Sequence, residues 1–565
     1  MRRILAIALM VVSGHLVPGL LRFAYLPTVA AASGESVTLS IVGTSDLHGA
    51  TEPRSGVGGL ALLAGYVNNL RRARASDGGA VLLFDSGDTF EGEVESDLSE
   101  GALVVDAYNA MRYTAEAIGN HDFDFGAVDS PTGRQTAGDL RGAIKARAAQ
   151  ARYPFLAANL IDNATGRAVE WPNVRPSALV EAAGVKVGVI GVMTIDALNS
   201  TLAANVQGLR VAPLAPTIIE EATKLRAAGA DLVIVAAHAG GRCARFDDPL
   251  DLSSCDPEAE IFRVARSLPR GLVDVIAAGH THAGIAHEVN GVAIIEPFSI
   301  GQAFGRVDVI VNRKTRSVSQ LHIFAPRSVV DAVYEGRAVT PDPGVVRAMQ
   351  PALERVHQLQ ATALGVSLQA PIARGGDSGS PLGDVFADAI RSAVPAADVA
   401  VVNTATRGLF ADLPAGPLTF GRVYSTFPFD NRIARVRLTA AELGRWLDGE
   451  IRQGRRGALG ISGVSMRASC ISGDVHVELF RGGDRSANPI KAEEALLVAT
   501  IGGPTLSGTA GAIDPLGGGG PAENAPIVRD AVENWLRQPD RLAQNVDAIH
   551  QRLDGAATET RGCAF

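Results

Sequence analysis

The chain has 565 residues, of which 47% are hydrophobic and 20% charged, so wholesale disorder is excluded and a large packed core is expected. The length predicts two or three domains. The formal net charge of −8 argues against a nucleic-acid polymer as the main partner, because phosphate backbones recruit Lys and Arg, although a small phosphorylated ligand needs only a local positive site.

The N-terminus has the pattern of an export signal. Arg2 and Arg3 precede a mostly apolar stretch that reaches Leu20, and the alanines at 30–32 offer a small-residue cleavage site. We therefore expect residues 1–32 to be a signal peptide and the mature protein to be secreted or periplasmic. An uncleaved membrane anchor is the alternative. No later segment is apolar over the roughly 18 residues that a bilayer requires, so no stable membrane insertion is expected after signal removal.

Four cysteines in a chain expected to be exported predict two disulfides. The simplest pairing joins Cys243 to Cys255 within one loop and Cys470 to Cys563 across the C-terminal region. Four cysteines allow three pairings, so the pairing is a preference. Their spacing matches no zinc ribbon or zinc finger.

Short apolar runs, many of them β-branched, alternate with helical patterns from Val37 to about Phe324. This alternation predicts an α/β layered domain. One helical stretch begins at Leu60 and repeats its apolar residues at i, i+3, i+4 and i+7 up to Leu70. The predicted strands cover 38–42, 80–84, 115–118, 185–192, 231–237, 273–278, 307–311 and 318–324.

A turn cluster at 340–344 marks the end of this region and a good helix start. We expect a linker helix over 340–364, which Pro351 should kink or begin. We expect this lone helix between two domains to act as a hinge element. Residues 365–565 then form a second domain with mixed strand and helix patterns, and the glycines at 517–520 predict a flexible loop.

Polar motifs follow five of the predicted strands, and five of the eleven histidines lie in them. Because this edge of a layered α/β domain is where ligands bind, we expect the motifs to form one site. Carboxylate and amide oxygens with imidazole nitrogens, and no thiolate, suit a pair of borderline divalent metals about 3.5–4 Å apart. The motifs are Asp46-Leu47-His48, Asp85-Ser86-Gly87-Asp88, Gly119-Asn120-His121-Asp122-Phe123-Asp124, His238 and Gly279-His280-Thr281-His282.

Each motif alone has an ordinary structural explanation. Asp-x-His is common in loops, Gly-Asp is common in turns, and a histidine at a strand end usually has a satisfied hydrogen bond. The five motifs in this order, each after a strand, favour a functional site. The glycines Gly87, Gly119 and Gly279 would let the backbone turn sharply beside the ligands.

The ordered set of motifs resembles the calcineurin-like metallophosphoesterases. The longer Gly-Asn-His-Asp-Phe-Asp run and the second domain narrow the resemblance to the bacterial secreted or periplasmic 5'-nucleotidase family, over essentially the whole mature chain. The resemblance implies an α/β fold with a four-layer αββα catalytic domain over 36–328. It also implies a C-terminal α+β substrate-recognition domain over 365–565, and a linker helix about which the two domains rotate.

The resemblance further implies two divalent metal ions, Zn, Mn or similar, held by seven side chains. Asp88 bridges the two ions. His121 is not a ligand but faces the reacting phosphorus as a catalytic residue, with Asp124 orienting its ring. The implied ligands of the first ion are Asp46, His48, Asp88 and His282, and those that complete the second are Asn120, His238 and His280.

The implied reaction is hydrolysis of 5'-nucleotides to nucleoside and phosphate by a metal-activated water, without a covalent enzyme intermediate. The sequence Gly-Asp-Ser-Gly at 376–379 is similar to the nucleophile loop of trypsin-like proteases. It lies in the wrong fold context, so we interpret it as a glycine-rich loop.

In the family, the C-terminal domain carries an Asn-(Gly)3-Arg motif, an earlier Arg and two aromatic rings that hold the base. Here Asn403 and Arg407 match that motif with its glycines replaced, Arg374 matches the earlier Arg, and Phe429 keeps one ring. The arginines would bind a phosphate or carboxylate and Phe429 would stack on a base. A surface Arg pair and a packed Phe are the alternative. Residues 499–520 contain no Phe, Tyr or Trp, so no second ring comes from that segment.

Three other functions stay open at this point. Relatives with the same site hydrolyse 2',3'-cyclic nucleotides, with 3'-nucleotidase activity, or the pyrophosphate bond of nucleotide sugars. Sulfur-oxidising relatives with a similar fold hydrolyse a thiosulfonate group on a carrier protein. A non-enzymatic surface protein with a relic site would have lost ligands, whereas every expected ligand is present.

Overall fold

A computed structural model of the chain describes residues 35–128, 138–375, 379–404, 409–428, 431–453, 458–471, 474–481, 488–501 and 525–538. Several predictions fall outside these ranges: the signal peptide, the loop at 376–378, the glycines at 517–520 and the pairing with Cys563. The predicted disulfide between Cys243 and Cys255 is confirmed.

The described residues form strands and helices that we number along the chain. The strands are β1 Ser36–Thr44, β2 Ala80–Asp85, β3 Ala115–Ala117, β4 Phe155–Leu156, β5 Leu160–Asp162, β6 Val174–Arg175, β7 Ser177–Ala182, β8 Val185–Met193, β9 Leu209–Val211, β10 Leu232–His238, β11 Val275–Ala278, β12 Gly284–Val289, β13 Val292–Pro297, β14 Ala303–Asn312, β15 Ser317–Ser328, β16 Val333–Tyr334, β17 Arg337–Ala338, β18 Ala363–Leu368, β19 Val399–Asn403, β20 Gly416–Thr419, β21 Ile433–Thr439, β22 Leu459–Ser462, β23 Val464–Ile471, β24 Asp474–Arg481 and β25 Ala495–Ile501. The helices are α1 Leu60–Asp77, α2 Val94–Asp97, α3 Ala102–Met111, α4 Gly142–Gln150, α5 Leu214–Ala227, α6 Glu260–Ser267, α7 Pro343–Gln360, α8 Pro381–Ala393, α9 Phe420–Thr426, α10 Ala440–Arg452 and α11 Val528–Leu536.

Two sheets pack face to face in the N-terminal region. The first has the order β15-β14-β1-β2-β3-β4-β6 and the second the order β12-β13-β11-β10-β8-β7. Alternate residues of β1, such as Leu39 and Ile41, are fully buried against Val187 and Val189 of β8 in the core between the sheets. Because the two-residue period of a strand places alternate side chains on one face, apolar residues at these positions fix which face lies inside.

Helices cover the outer face of each sheet. α1, α3, α4 and α7 contribute to the core cluster against the first sheet, and α5 and α6 to the cluster against the second. The predicted four-layer αββα arrangement is therefore confirmed. Strands β1 to β4 run parallel to one another, as do β8, β10, β11 and β13. Their carboxyl ends, and the motifs that follow them, consequently lie at one edge of each sheet.

The helix expected over 340–364 is shorter than predicted. It begins after Asp342, whose side chain accepts hydrogen bonds from the amides of Gly344 and Val345, and it ends at Gln360. Residues 363–368 form β18 instead, paired with β20. The helix continues through Pro351, which therefore does not mark its start.

A four-stranded sheet, β21-β25-β19-β22, organises the C-terminal region. α8 and α11 pack on one face and α10 on the other, so that two separate apolar clusters flank the sheet. This is the predicted α+β arrangement, while the exact domain boundaries stay a prediction. Among the described helices, none has the length and apolarity that crossing a lipid bilayer requires.

Candidate active site

Backbone hydrogen bonds draw the loops after different strands together. The amide of Asp46 donates to the carbonyl of Gly87 at 2.9 Å, which joins the loops that follow β1 and β2. The amide of His121 donates to Oδ1 of Asp88 at 2.8 Å, and the amide of His280 donates to Oδ1 of Asp46 at 2.9 Å. The carboxylates of Asp88 and Asp46 thus each bind the backbone of a loop that follows a different strand from their own.

Five of the seven predicted metal ligands have a left-handed backbone, a conformation that costs non-glycine residues of the order of 1–3 kcal/mol each. Such strain is retained where the surrounding structure imposes it, and it clusters at functional sites. The φ angles are 50° at Asp46, 48° at His48, 55° at Asp88, 77° at His280 and 55° at His282.

Two glycines allow the carboxylate of Asp88 to approach the backbone. A Cβ on Gly119 would lie 2.2 Å from Oδ1 of Asp88, and a Cβ on Gly87 would lie 2.6 Å from the amide nitrogen of Gly119. Any side chain at either position would push Asp88 away from its neighbours. The predicted need for small residues beside the ligands is met here.

The first predicted group brings Asp46, His48 and His282 together, with donor atoms within 4.8 Å of one another. Nδ1 of His48 lies 2.9 Å from the carbonyl oxygen of Glu91. Because a carbonyl only accepts, Nδ1 carries the proton, and Nε2 of the neutral ring presents a lone pair. That Nε2 lies 3.1 Å from Nε2 of His282 and 3.9 Å from Oδ2 of Asp88.

The second predicted group contains Asp88, His238 and His280. Nδ1 of the fully buried His238 lies 3.0 Å from the carbonyl oxygen of Ser86, so Nδ1 again donates. Its Nε2 is 3.0 Å from Oδ1 of Asn120, 3.2 Å from Oδ2 of Asp88 and 3.1 Å from Nδ1 of His280. Lone pairs from an amide, a carboxylate and two rings therefore converge on one point.

Burial and the charge of Asp88 together set the charge of these rings. Burial lowers the pKa of His48 and of His280, each to about 4, so both rings are neutral at pH 7. Burial acts in the same direction on His238, but the charge of Asp88 outweighs it and raises the pKa of His238 to about 9. The proton on Nε2 of His238 faces Asp88, and a divalent cation bound there would take its place. The donor set of oxygens and imidazole nitrogens fits divalent metal ions.

His121 lies beside these groups with its side chain 28% exposed. Its Nδ1 is 2.6 Å from Oδ2 of Asp124, and the other oxygen of Asp124 accepts a hydrogen bond from the hydroxyl of Thr201 at 2.5 Å. Although burial opposes it, the hydrogen bond to Asp124 and the charge of Asp88 raise the pKa of His121 to about 10. The ring is therefore an oriented cation with Nε2 as its remaining donor.

The sequence motifs did not include two residues of this neighbourhood. Glu91 orients His48 through its carbonyl, and its carboxylate lies 3.5 Å from Nδ1 of His121. Glu91 follows Asp88 by three residues, so its closeness in the chain was a signal that could have suggested it. Thr201 is 77 positions from Asp124 in the sequence and had no such signal.

The predicted substrate residues are only partly described. Arg374 is half exposed and donates to the carbonyl of Phe410 at 2.6 Å. Asn403 is buried, with Nδ2 donating to Glu450 at 2.7 Å. Arg407 and Phe429 lie outside the described residues.

Comparisons with known proteins match both regions of the chain. Residues 39–284 match the family model for calcineurin-like phosphoesterases, and residues 359–478 match the model for the 5'-nucleotidase C-terminal domain. The structure is similar in fold to a 5'-nucleotidase precursor from Thermus thermophilus. The TM-score is 0.58 at 20% identity, with 89% of this chain and 96% of that chain covered.

Two curated relatives cover different shares of the chain. Protein UshA of Yersinia enterocolitica is 30% identical over 257 residues, 45% of this chain and 42% of the relative. Endonuclease YhcR of Bacillus subtilis is 24% identical over 440 residues, 74% of this chain and 33% of the relative. The match thus spans less than half the length of either relative. The chain therefore carries a calcineurin-like phosphoesterase domain followed by a 5'-nucleotidase C-terminal domain.

Proposed function

We propose that the chain is a metal-dependent hydrolase of phosphate esters whose preferred substrates are 5'-nucleotides, which it converts to nucleoside and phosphate. One observation carries the proposal. His48 and His238 each commit Nδ1 to a backbone carbonyl, and each points Nε2 at the same oxygen of Asp88, from 3.9 Å and 3.2 Å. Two neighbouring sets of lone pairs with one carboxylate between them suit a pair of cations bridged by that carboxylate.

The proposed cofactors are two divalent metal ions, Zn, Mn or similar. When bound, such ions supply a Lewis acid for the phosphoryl oxygens and lower the pKa of a coordinated water. The residues proposed to hold the first are Asp46, His48, Asp88 and His282, and those proposed for the second are Asp88, Asn120, His238 and His280.

His121 is proposed to stabilise the transition state. The carboxylate of Asp124 accepts a hydrogen bond from Nδ1–H of His121. The cationic ring keeps its second proton on Nε2, which can donate to a phosphoryl oxygen that gains negative charge. Because the ring is held before substrate binds, little reorganisation is needed as the ester bond breaks. The hydroxyl of Thr201 holds Asp124 in turn.

The C-terminal domain is proposed to select the leaving group. Arg374 and Arg407 would bind an anionic group and Phe429 would stack on a base. Asn403 would contact a substrate only after its amide leaves the buried carboxylate of Glu450.

Export of the chain agrees with this activity. Residues 1–32 would act as the signal peptide of a secreted or periplasmic enzyme. The disulfide Cys243–Cys255 supports that location, because such bonds persist in oxidising compartments. The remaining division of the chain is proposed as a catalytic domain over 36–328, a linker element within 340–364 and a substrate-binding domain over 365–565.

The test measures product release by the purified mature chain with added Mn²⁺ or Zn²⁺ and with a chelator. The substrates are AMP, UMP, a 2',3'-cyclic nucleotide, a UDP-sugar, p-nitrophenyl phosphate and a DNA oligonucleotide. A matched control is the His322→Ala variant, since His322 is exposed on β15, away from the loops of the site.

Metal-dependent preference for nucleoside monophosphates is the expected outcome. Preference for the cyclic nucleotide, the UDP-sugar or the oligonucleotide would keep the site and change the substrate. No release from any phosphate ester would defeat the proposal, and a thiosulfonate substrate would be tested next.

A further inference from the structure

A carboxylate outside the predicted ligand set lies beneath three of the proposed ligands. Glu296, on β13, is fully buried. Its Oε1 accepts a hydrogen bond from the hydroxyl of Thr281 at 2.6 Å, and its Oε2 accepts one from the amide of Gly241 at 3.1 Å. The Thr281 hydroxyl also lies 2.7 Å from the carbonyl oxygen of Gly241. One side chain therefore joins the loops that follow β10 and β11.

Those two loops carry three of the seven proposed ligands. Thr281 lies between His280 and His282, and Gly241 follows His238 by three residues. In the second sheet β13, β11 and β10 are consecutive neighbours, so Glu296 reaches from β13 past β11 to the loop after β10. A contact at Thr281 therefore acts on both His280 and His282. Both have left-handed backbones, a strained conformation that persists only where surrounding contacts impose it.

The backbone is packed around this carboxylate without spare room. A Cβ on Gly240 would lie 2.5 Å from Oε2 of Glu296 and 2.3 Å from the carbonyl oxygen of Gly279. The loop after β10 therefore rests directly on Glu296 and on the loop after β11. A shift of the carboxylate would move both loops, because close-packed interiors transmit such displacements.

Stability alone does not account for a carboxylate at this place. Burying a carboxyl group is costly even when it is hydrogen-bonded, and well-packed apolar residues often serve stability equally well. What an apolar residue would not provide is a directional acceptor for both Thr281 and Gly241. Outer partners of this kind orient metal ligands, and their loss weakens metal affinity about 10–100-fold.

We propose that Glu296 is a positioning residue that sets His280, His282 and, through Gly241, His238 at the spacing a pair of divalent cations requires. The inference rests on the proposed metal centre, but it concerns metal affinity and not the choice of substrate. Thr281 transmits the effect by its hydroxyl, and its methyl group has no part in it.

The test is titration of Mn²⁺ and Zn²⁺ into the metal-stripped mature chain by calorimetry, together with urea unfolding of the same samples. Glu296→Ala and Thr281→Val should raise the metal Kd about 10–100-fold. Thr281→Ser keeps the hydroxyl and should bind metal like the wild type. If Glu296→Ala does not fold, the Thr281 pair still decides the question.

The matched control removes a carboxylate from the opposite end of the same strands. Asp274 precedes β11, and its Oδ2 accepts from the amide of Val233 at 2.8 Å and from Arg226 at 2.6 Å. Asp274→Ala should lose stability without a change in metal Kd. An unchanged Kd in Thr281→Val, or an equal loss in Thr281→Ser and Thr281→Val, would overturn the inference. A wild type that binds two metals but hydrolyses no ester would defeat the proposed function and leave this inference standing.

Discussion

Nδ1 of His121 and Oδ2 of Asp124 lie 2.6 Å apart on one turn of chain, and the second oxygen of Asp124 accepts from Thr201 on a distant loop. Asp124 thus has one oxygen bonded to the ring of His121 and the other bonded to Thr201, so the ring is held by a carboxylate that is itself fixed. The ring lies beside the proposed metal ligands without belonging to either set. Its Nδ1 is bonded to Asp124, and its Nε2 is the atom that we propose donates to a substrate. This arrangement distinguishes the proposed catalytic role of His121 from metal binding, so the two roles can be tested separately.

Replacing His121 by Ala should lower kcat about 10²–10⁴-fold while the bound metal content stays at the wild-type level, because the ring would donate to the transition state and not to the metals. Turnover of AMP and elemental analysis of the same preparation measure the two quantities. His322→Ala should change neither. Normal turnover in His121→Ala would contradict the assigned role.

Thr201→Val should lower kcat by about 10-fold with little change in KM, because a loosened Asp124 no longer fixes the ring that meets the transition state. Thr201→Ser keeps the hydroxyl and should recover most of the rate. Steady-state kinetics on AMP measure both. A rise in KM with an unchanged kcat would instead place Thr201 in substrate binding.

Asp88→Ala should lose both metal and activity, because this carboxylate faces both groups of ring nitrogens. A chelator should likewise abolish wild-type activity, and Mn²⁺ or Zn²⁺ should restore it in the wild type but not in the variant. Metal content and phosphate release are the readouts. Full activity of the chelated wild type would contradict the metal-dependent proposal.

The hydroxyl of Tyr424 donates to Oδ2 of Asp97 at 2.6 Å and thereby joins α9 to α2 across a buried contact. Tyr424→Phe removes a hydrogen bond to a carboxylate and should lower the free energy of unfolding by about 1–3 kcal/mol, measured in urea. The guanidinium of Arg529, 4.3 Å above the ring, keeps an aromatic partner in the variant. In an Asp97→Ala background the same substitution should cost little, and an equal cost in both backgrounds would contradict the pairing.

Asp342→Ala should lower the free energy of unfolding by about 0.5–2 kcal/mol at pH 7, because Asp342 caps the helix that begins at Pro343. Burial raises the pKa of Asp342, but hydrogen bonds from the amides of Val345 and Gly344 and from Asn68 lower it below its ordinary value overall.

A carboxylate whose pKa is lowered by folding stabilises the fold at pH values above its pKa in the unfolded chain, which is about 4. That stabilisation is lost as the pH falls through the pKa of the folded state. The difference between wild type and Asp342→Ala in urea unfolding should therefore shrink below about pH 4. A difference that stays constant down to pH 2.5 would show that the charge of Asp342 has no part in the cap.

The sequence by itself determined the layered fold and the order of the motifs that carry the proposed site. Within two of the predicted strands, residues 187–192 and 232–237 are continuous runs without a polar side chain. Such runs are typical of parallel strands that are buried on both faces. The motifs follow those strands directly, so the rule that carboxyl ends share an edge was enough to place the predicted ligands near one another. The sequence did not predict where the linker helix ends. The helix ends at Gln360, and the residues that follow form β18, which pairs with β20. A strand pairing between distant segments leaves no local signal in the sequence.

Only the tertiary structure decided which atoms meet. That Nε2 of His238 is the nitrogen offered to Asp88 follows from the carbonyl of Ser86, which is 152 positions away in the chain. Thr201 and Glu296 entered the site in the same way, through hydrogen bonds to segments that no periodicity or motif connects with them. The physical reason is that apolar pattern sets the position of strands, whereas the direction of a polar side chain is set by partners that only the folded chain brings within about 3 Å.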